Sequence, residues 1–223
     1  MTSVHMASAG VTVLELRGAT ICRDGAPLFA PLDLVVHPGR PVTIMGPSGA
    51  GKSSLLAWLT GMLPDGLTGH GDVLLDGRSI LAEPPNRRHL GILFQDDLLF
   101  PHMSVGENLG FALPPSVLRR DRPARIAAAL EQVELAGFED RDPATLSGGQ
   151  RARVALLRIL LSEPHAVLLD EPFSKLDLSL RDRFRSLVFH STRHLPVILV
   201  SHDPADAPAA GDIVDLRQQH KVP

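Results

Sequence analysis

Residues 46–53 read Gly46-Pro47-Ser48-Gly49-Ala50-Gly51-Lys52-Ser53, which matches the pattern G-x-x-x-x-G-K-[ST]. Glycines let the backbone curl until successive N–H groups point inward, where they can bind phosphate oxygens. Lys52 then supplies a positive charge for the β- and γ-phosphates, and the Ser53 hydroxyl can ligate Mg²⁺. The pattern follows the apolar run Pro41–Met45 and opens a helix-like segment, Lys52–Leu63, whose N-terminus favours anions. These features predict a phosphate-binding loop between a buried strand and a helix.

Strand-like and helix-like segments alternate on both sides of this loop. The middle of the chain, from about Gln95 to Leu161, carries loops and helix patterns but no strand pattern. Such alternation predicts an α/β fold, with a mostly parallel sheet covered by helices and interrupted by a helical insertion. The other strand-like segments are Val11–Leu16, Leu32–Val36, Gly71–Leu75, Leu90–Phe94, Ala166–Leu169 and Val197–Val200, and the later helix-like segments are Pro123–Leu135, Gly149–Leu161 and Leu178–His194.

Two further motifs carry polar groups that packing alone does not explain. Residues 146–150 read Leu146-Ser147-Gly148-Gly149-Gln150, in which Ser147 is also a suitable N-cap for the following helix. Residues 167–171 form an apolar strand that ends in two adjacent acids, Asp170 and Glu171. Ligands of α/β sheets bind beyond the carboxyl ends of the strands. We therefore expect this acidic pair to lie where the fold binds its ligand.

The composition excludes several classes of protein. The 223 residues include 22 Lys+Arg and 25 Asp+Glu, and the formal charge of −3 argues against bulk electrostatic binding to nucleic acid. The basic residues Arg151, Arg153 and Arg158 are accordingly interpreted as a solvated helix face. The single cysteine, Cys22, excludes a disulfide within the chain and a cysteine-based zinc cluster. The apolar runs are too short to span a bilayer and no signal peptide is predicted, so we expect a cytoplasmic protein.

The phosphate loop, the LSGGQ pentapeptide, the strand ending in Asp-Glu and a late Ser201-His202-Asp203 occur together in one order. In this order and spacing the chain resembles the ATP-binding subunits of ABC transporters over nearly its whole length. Two longer segments, GILFQDDLLFPHMSVGENL and DPATLSGGQRARVALLRILL, resemble bacterial importer ATPases, including an uncharacterised thiamine-importer-like group.

This resemblance implies an α/β P-loop NTPase of the ABC type. Its core sheet would be mostly parallel, with an antiparallel β part at the N-terminus and an inserted α-helical subdomain. The chain would then form one ATPase domain over residues 1–223. Its nucleotide-binding core would comprise residues 1–94 and 162–223, and its helical subdomain, residues 95–161, would carry the LSGGQ motif.

The resemblance also implies a role for each polar group at the nucleotide, with ATP and Mg²⁺ as cofactors. The phosphate loop, extended to Ser54, would hold the phosphates, and Asp170 would hold Mg²⁺ through its water shell. Glu171 would be the general base for the attacking water. Gln95 would reach both the metal and that water, and His202 would contact the γ-phosphate and orient Glu171. The ordinary alternatives are an exposed loop amide for Gln95 and a surface histidine for His202.

Two copies of the chain would pair head to tail around ATP. In this arrangement Ser147 and Gly149 of one copy, within the LSGGQ segment that also contains Gly148 and Gln150, would grip the γ-phosphate held by the other copy. Hydrolysis would remove the bridging phosphate and open the dimer. Asp177 would help to link the two sites, although it is also a suitable N-cap for the helix Leu178–His194.

The function implied by the resemblance is to power a bacterial solute importer from the inner face of the cell membrane. The partners would be two membrane-spanning permease subunits and, indirectly, a solute-binding protein, with no nucleic acid. The apolar loop Asp97–Pro101 and the helical insertion would form a groove for a permease helix, or this loop would simply be buried locally. An exporter or lipoprotein-release complex and a non-transport ABC complex are the alternatives.

The sequence departs from the family at the adenine. Related transporters stack the base on an aromatic residue about two dozen positions before the phosphate loop. Here that stretch reads Cys22-Arg23-Asp24-Gly25, and the chain contains no tyrosine. Phe29 is the nearest ring and is predicted to belong to the core. We therefore expect the Arg23 guanidinium to pack on the base, or the adenine to be held loosely.

Overall fold

The chain folds into strands and helices that alternate along most of its length, in a computed structural model that describes residues 12–217. The described part contains five α-helices: α1 (Lys52–Thr60), α2 (Val105–Ala112), α3 (Arg122–Gln132), α4 (Gly148–Leu161) and α5 (Leu178–Ser191). It also contains ten strands: β1 (Leu14–Arg23), β2 (Ala26–Pro27), β3 (Leu32–Val36), β4 (Val42–Met45), β5 (Leu67–Leu75), β6 (Arg78–Ser79), β7 (Leu90–Leu93), β8 (Ala166–Asp170), β9 (Val197–Val200) and β10 (Asp212–Asp215).

The strands form two sheets of different type. In the antiparallel sheet, β1 pairs with β2, β3 and β5, and β5 pairs with β6. The second sheet is parallel throughout, in the order β10-β4-β9-β8-β7. The predicted α/β fold, with a mostly parallel core sheet and an N-terminal antiparallel part, is confirmed.

The parallel sheet is covered by apolar side chains on both faces, as its uninterrupted apolar strands predict. Successive side chains of a strand point to opposite faces. In β8, Leu168 packs in the cluster that contains α1, whereas Val167 and Leu169 pack in the cluster that contains α5. The central strands of this sheet are consequently fixed between two layers, which leaves their ends as the places for polar chemistry.

The segment between β7 and β8 contains helices α2, α3 and α4 and no strand, so the predicted helical insertion is confirmed. These helices have a hydrophobic core of their own, with Leu109, Leu130 and Val154 fully buried at its centre. Helix α2 begins with a capping box, in which Ser104 and Glu107 satisfy each other's backbone N–H groups.

Several boundaries differ from those predicted. Helix α1 stops at Thr60 rather than Leu63, because Gly61 adopts a left-handed conformation (φ 78°) and ends the helix. Strand β1 is longer than the predicted strand Val11–Leu16, whose first residue lies outside the described part of the chain. Helix α5 ends at Ser191, so His194 lies beyond it.

Helix α1 is joined to the antiparallel sheet by its one tryptophan. Trp58 is buried, and its indole fills the space where a Cβ atom on Gly69 of β5 would stand. Only glycine at position 69 permits this contact. The phosphate-loop helix is therefore packed between the two sheets.

Candidate functional site

Four adjacent strands of the parallel sheet end at the same edge, and each is followed by one of the predicted motifs. In the sheet order β4-β9-β8-β7, the strands lead into Gly46, His202, Glu171 and Gln95 respectively. Ladder pairing sets Asp170 of β8 beside Val200 of β9. The carboxyl edge of such a sheet is where α/β folds bind ligands. Motifs separated by up to about 150 residues thus converge on one site.

The phosphate loop is curled tightly in front of α1. Gly51 caps this helix in a left-handed conformation (φ 89°), and a Cβ atom there would come within 3.2 Å of Leu28 and Phe29. Lys52 is only 7% exposed, and its ammonium donates to the carbonyls of Gly46 (2.8 Å) and Pro47 (2.9 Å). No acidic residue lies in the first turn of α1. The helix N-terminus and the lysine therefore present positive charge at a site suited to phosphate.

Two oxygen donors meet where this helix and strand β8 adjoin. The Ser53 hydroxyl donates to Asp170 Oδ1 at 3.0 Å. Burial raises the pKa of the Asp170 carboxyl, the Ser53 hydrogen bond opposes that shift, and the neighbouring Glu171 charge raises the pKa further. A hydroxyl and a carboxylate are the hard oxygen ligands that Mg²⁺ prefers, so the donor set fits this ion.

Glu171 is held in an uncommon backbone conformation, with φ at 48°. Its N–H donates to the carbonyl of Val200 at 3.0 Å, so the strained residue is fixed to the neighbouring strand. Its carboxylate Oε2 lies 3.1 Å from His202 Nδ1, and the glutamate side chain is 25% exposed against 64% for the histidine. The Glu171 carboxylate is thus partly open to solvent, with the His202 imidazole beside it. This is suitable geometry for a general base.

Gln95 lies at the same sheet edge but is less closely engaged. It is exposed, two residues beyond the end of β7, and it lines a cavity of about 330 Å³ together with Gly148 and Lys175. Within residues 12–217 no hydrogen bond joins it to Asp170 or Ser53. The structure therefore brings Ser53, Asp170, Glu171 and His202 into two contacting pairs, with Gln95 beside them.

The loop after Gln95 is tied to helix α4 by arginines whose role the sequence interpretation missed. Arg151 donates to Asp97 Oδ2 at 2.8 Å, and Arg158 donates to the carbonyl of Leu98 at 2.8 Å. Arg153 bonds the carbonyl of Val133 at 3.0 Å. The interpretation of these three residues as a solvated face is therefore wrong. Their spacing along α4 was visible in the sequence, but the loop that they bind was not.

The LSGGQ segment forms the N-terminus of α4. Ser147 is the N-cap, with a complete capping box to Gln150, and both Ser147 and Gly148 are exposed. Gly149 is buried against Leu180 of α5, where a Cβ atom would overlap the leucine side chain. Gly148 is therefore the exposed residue of the first turn, at a helix N-terminus that favours anions.

Asp177 caps α5, with its Oδ1 accepting from Leu180 N at 3.0 Å. This hydrogen bond is the main reason that the pKa of the Asp177 carboxyl is lowered. The N-cap alternative is therefore correct as a description of the contacts that Asp177 makes within its own chain.

Arg23 lies at the turn between β1 and β2, where it pairs with Ala26 and is exposed. Shortly after this hairpin, Leu28 and Phe29 pack against Gly51 of the phosphate loop. Phe29 is buried in the core, as predicted. The segment that contacts the phosphate loop thus begins only a few residues after Arg23.

Residues 29–174 match the family model described as ABC transporter. The chain belongs to the ABC transporter family. It is an ABC ATPase, and the ATPase domain of this family binds ATP. No helix within residues 12–217 has the length and apolar character needed to cross a membrane.

Similar ABC proteins include both uncharacterised and named transport ATPases. The chain is 49% identical over 193 residues to the uncharacterized ABC transporter ATP-binding protein YnjD of Escherichia coli, covering 86% of this chain and 89% of that protein. It is 44% identical to the thiamine import ATP-binding protein ThiQ of Vibrio parahaemolyticus, over 79% of this chain and 76% of ThiQ.

Other relatives are considerably longer than the part that matches. The spermidine/putrescine import ATP-binding protein PotA of Oleidesulfovibrio alaskensis is 40% identical over 94% of this chain, but the match covers 56% of PotA. The chain thus spans about half the length of several curated relatives. The predicted resemblance to importer ATPases, including a thiamine-importer-like group, is confirmed.

Proposed function

We propose that this ABC ATPase is the subunit that powers a bacterial solute importer by binding and hydrolysing ATP. The observation that carries the proposal is the convergence of the phosphate loop, Asp170, Glu171 and His202 on one edge of the parallel sheet. The printed names of the similar import ATPases support transport as the purpose of the hydrolysis.

The phosphate loop holds the nucleotide. Backbone N–H groups within residues 46–54, where Pro47 has none, bind the phosphates together with the N-terminus of α1. Lys52 leaves its two carbonyl partners to reach them. Ser53 and Asp170 would hold Mg²⁺, and Gln95 would complete the set from the loop that follows β7. Bound Mg²⁺ would neutralise charge that develops on the β- and γ-phosphate oxygens.

Glu171 accepts the proton of the attacking water. Its carboxylate is a suitable base because His202 lies 3.1 Å away and restricts its orientation, while one-quarter exposure leaves it accessible to that water. His202, which is mostly exposed, turns toward the γ-phosphate. The chain's contribution is then mainly the placement of water and charge, as for other phosphoryl transfers.

A second copy of the chain completes each site. Ser147 and Gly148 are exposed at the start of α4, Gly149 is buried beside them against Leu180, and Gln150 holds Ser147 in place through the capping box. We infer that Ser147 and the two glycines bind the γ-phosphate on the partner, with Asp177 in the contact between the two copies. ATP would hold the dimer closed, and hydrolysis would release it.

A hydrophobic surface on the helical segment is the proposed contact for the two permease subunits. Leu98 is 53% and Phe111 is 69% exposed, and the Phe111 ring meets Phe100 edge-on with centroids 5.2 Å apart. We infer that residues 95–161 act as a subdomain of the 1–223 ATPase domain and dock on the cytoplasmic side of the membrane. A solute-binding protein would act through the permease.

A photo-crosslinking amino acid at Phe111 should capture a permease subunit in membranes that contain the whole transporter. The exposed ring belongs to the apolar surface proposed to contact the membrane subunits. Val35, which is 54% exposed on strand β3, is the matched control and should capture none. The captured protein is identified by mass spectrometry. Capture of a multi-spanning membrane protein at Val35 but not at Phe111 would contradict the proposed surface. Capture of an exporter-type membrane protein at Phe111 would contradict the importer proposal.

Replacement of Arg23 by alanine should weaken ATP binding about threefold to tenfold, which is the range expected when a guanidinium stops stacking on an aromatic base. Stacking reads no hydrogen-bonding edge of the base, so GTP should compete with ATP almost equally in the unmodified protein. Arg17→Ala, elsewhere on β1 and paired with Glu15, is the control. Competition binding with labelled ATP measures both effects. A strong preference for ATP that survives Arg23→Ala would refute the role of Arg23.

A further inference from the structure

An arginine on helix α5 binds the loop that carries His202. Arg181 donates from Nη2 to Asp203 Oδ2 at 2.6 Å, and from Nε and Nη2 to Asp206 Oδ1 at 2.9 and 2.6 Å. Paired donors of a planar guanidinium fix orientation as well as distance. One side chain of α5 therefore fixes two carboxylates that follow His202 in the sequence.

The second carboxylate also holds the residue that precedes His202. The Ser201 hydroxyl donates to Asp206 Oδ2 at 2.6 Å, and the Asp203 N–H donates back to the Ser201 hydroxyl at 3.1 Å. His202 is consequently placed between two neighbours that belong to the same network. Its own side chain is free to meet Glu171 at 3.1 Å.

This network differs from the ion pairs on the surface of the protein. The Asp206 side chain is 4% exposed and Arg181 is 18% exposed, whereas surface pairs such as Arg120–Asp121 leave both partners largely in water. The hydrogen bonds that Arg181 donates to Asp206 are the largest cause of the raised pKa of Arg181. Removing one partner of a buried, hydrogen-bonded ion pair lowers stability strongly, because the other partner then remains buried and charged without a counter-ion.

The N-cap of α5, Asp177, is the residue proposed to face the second copy. Arg181 N donates to the carbonyl of Asp177 at 2.8 Å, so the two residues lie one helical turn apart. Arg185, one turn further on, contacts the carbonyl of Ala205. The first two turns of α5 thus join the proposed dimer contact to the His202 loop.

We infer that Arg181 is a positioning residue for ATP hydrolysis, which holds His202 against Glu171 through Asp203 and Asp206. This inference rests on the proposed function, because it acts on the same His202–Glu171 pair. It adds a physical path: a shift of the Asp177 loop on dimer closure moves the first turn of α5, and Arg181 transmits that shift to the histidine. Hydrolysis would then respond to closure of the dimer.

The test is a double-mutant cycle between Arg181→Met and His202→Ala. Misplacing a catalytic group by about 1 Å can lower the rate about 100-fold, so Arg181→Met alone should lower kcat about tenfold to 100-fold. Its ATP dissociation constant should change less than about twofold, because the phosphate loop is untouched. In the His202→Ala background the same substitution should have little further effect, since the group that it positions is gone.

Two further variants make the result specific. Arg183→Met removes an exposed arginine from the same helix and should leave kcat unchanged. Arg181→Lys keeps the charge and should recover part of the rate. If thermal denaturation shows that Arg181→Met is not folded, Asp203→Asn replaces it in the cycle. The Asp203 side chain is one-third exposed, so weakening its bond to Arg181 should disturb the fold less.

The outcomes separate the inference from the proposed function. If the losses of kcat from the two single substitutions multiply in the double variant, the inference about Arg181 is overturned while His202 keeps its role. Full activity of His202→Ala would overturn the role of His202 itself, and with it the action of Arg181. A large loss of ATP affinity in Arg181→Met would show a general structural effect and would likewise overturn the inference.

Discussion

Glu171→Gln should bind ATP, fail to hydrolyse it and accumulate as an ATP-dependent dimer. The glutamine amide has the shape of the glutamate but cannot accept a proton from water, so kcat should fall about 100-fold to 10,000-fold. The phosphate-loop contacts are unchanged, so the nucleotide remains bound. Because the proposed γ-phosphate bridge between two copies is then never removed, the closed dimer should persist.

Steady-state phosphate release measures the rate, and light scattering after gel filtration with ATP or ADP measures the dimer. Glu131→Gln, at an exposed position of α3, is the matched control and should behave as the unmodified protein. A Glu171→Gln protein that hydrolyses ATP at a nearly normal rate would remove this residue from the role of base. A slow variant that stays monomeric with ATP would separate the dimer proposal from the chemistry.

Lys52→Ala should lose most of its affinity for ATP. The ammonium is buried and bonded to two carbonyls of the loop, 2.8 and 2.9 Å away. It would therefore offer charged hydrogen bonds to phosphates in a partly dry environment. Charged hydrogen bonds contribute about 1.5–3 kcal/mol each, so the dissociation constant should rise roughly 100-fold. The two carbonyls also lose their donor, which should lower the melting temperature slightly.

Isothermal titration with ATP and Mg²⁺ measures this change directly. Arg87→Ala, an exposed basic residue in the short helical turn Pro85–Arg87, removes the same charge elsewhere and should leave affinity unchanged. Lys52→Ala with unaltered nucleotide affinity would contradict the assignment of residues 46–53 to phosphate binding. Circular dichroism of both variants verifies that the fold is retained.

Strands β4, β7, β8 and β9 of the parallel sheet could be predicted closely, because each is a short apolar run with polar residues at its end. Strand β10 was not predicted, because two of its four residues are aspartates and its Ile213 is exposed. Leu32–Val36 of the antiparallel sheet was also located correctly. Strand β1 was predicted too short because its alternation breaks at Gly18, where the pairing register with β5 shifts between Arg17 and Thr20. A local irregularity of this kind interrupts the period-two pattern while the strand itself continues.

The meeting of the motifs followed from topology, since the ends of neighbouring parallel strands share one edge. The anchoring arginines could not be predicted in the same way. Arg151 and Arg158 bind a loop more than fifty residues away, and the partners of Arg181 lie more than twenty residues along the chain. Their partners depend on how helices and loops pack, whereas the hydrophobic pattern of a helix indicates only which side faces inward.

The packing of Trp58 on Gly69 gives this ATPase a built-in optical reporter. The chain contains one tryptophan and no tyrosine, so its intrinsic fluorescence arises from a single buried indole on the phosphate-loop helix. A change of emission on adding nucleotide would therefore come from the surroundings of α1 alone, without labelling and without contributions from other rings. Stopped-flow mixing could follow the loading of the site, step by step, in the unmodified protein.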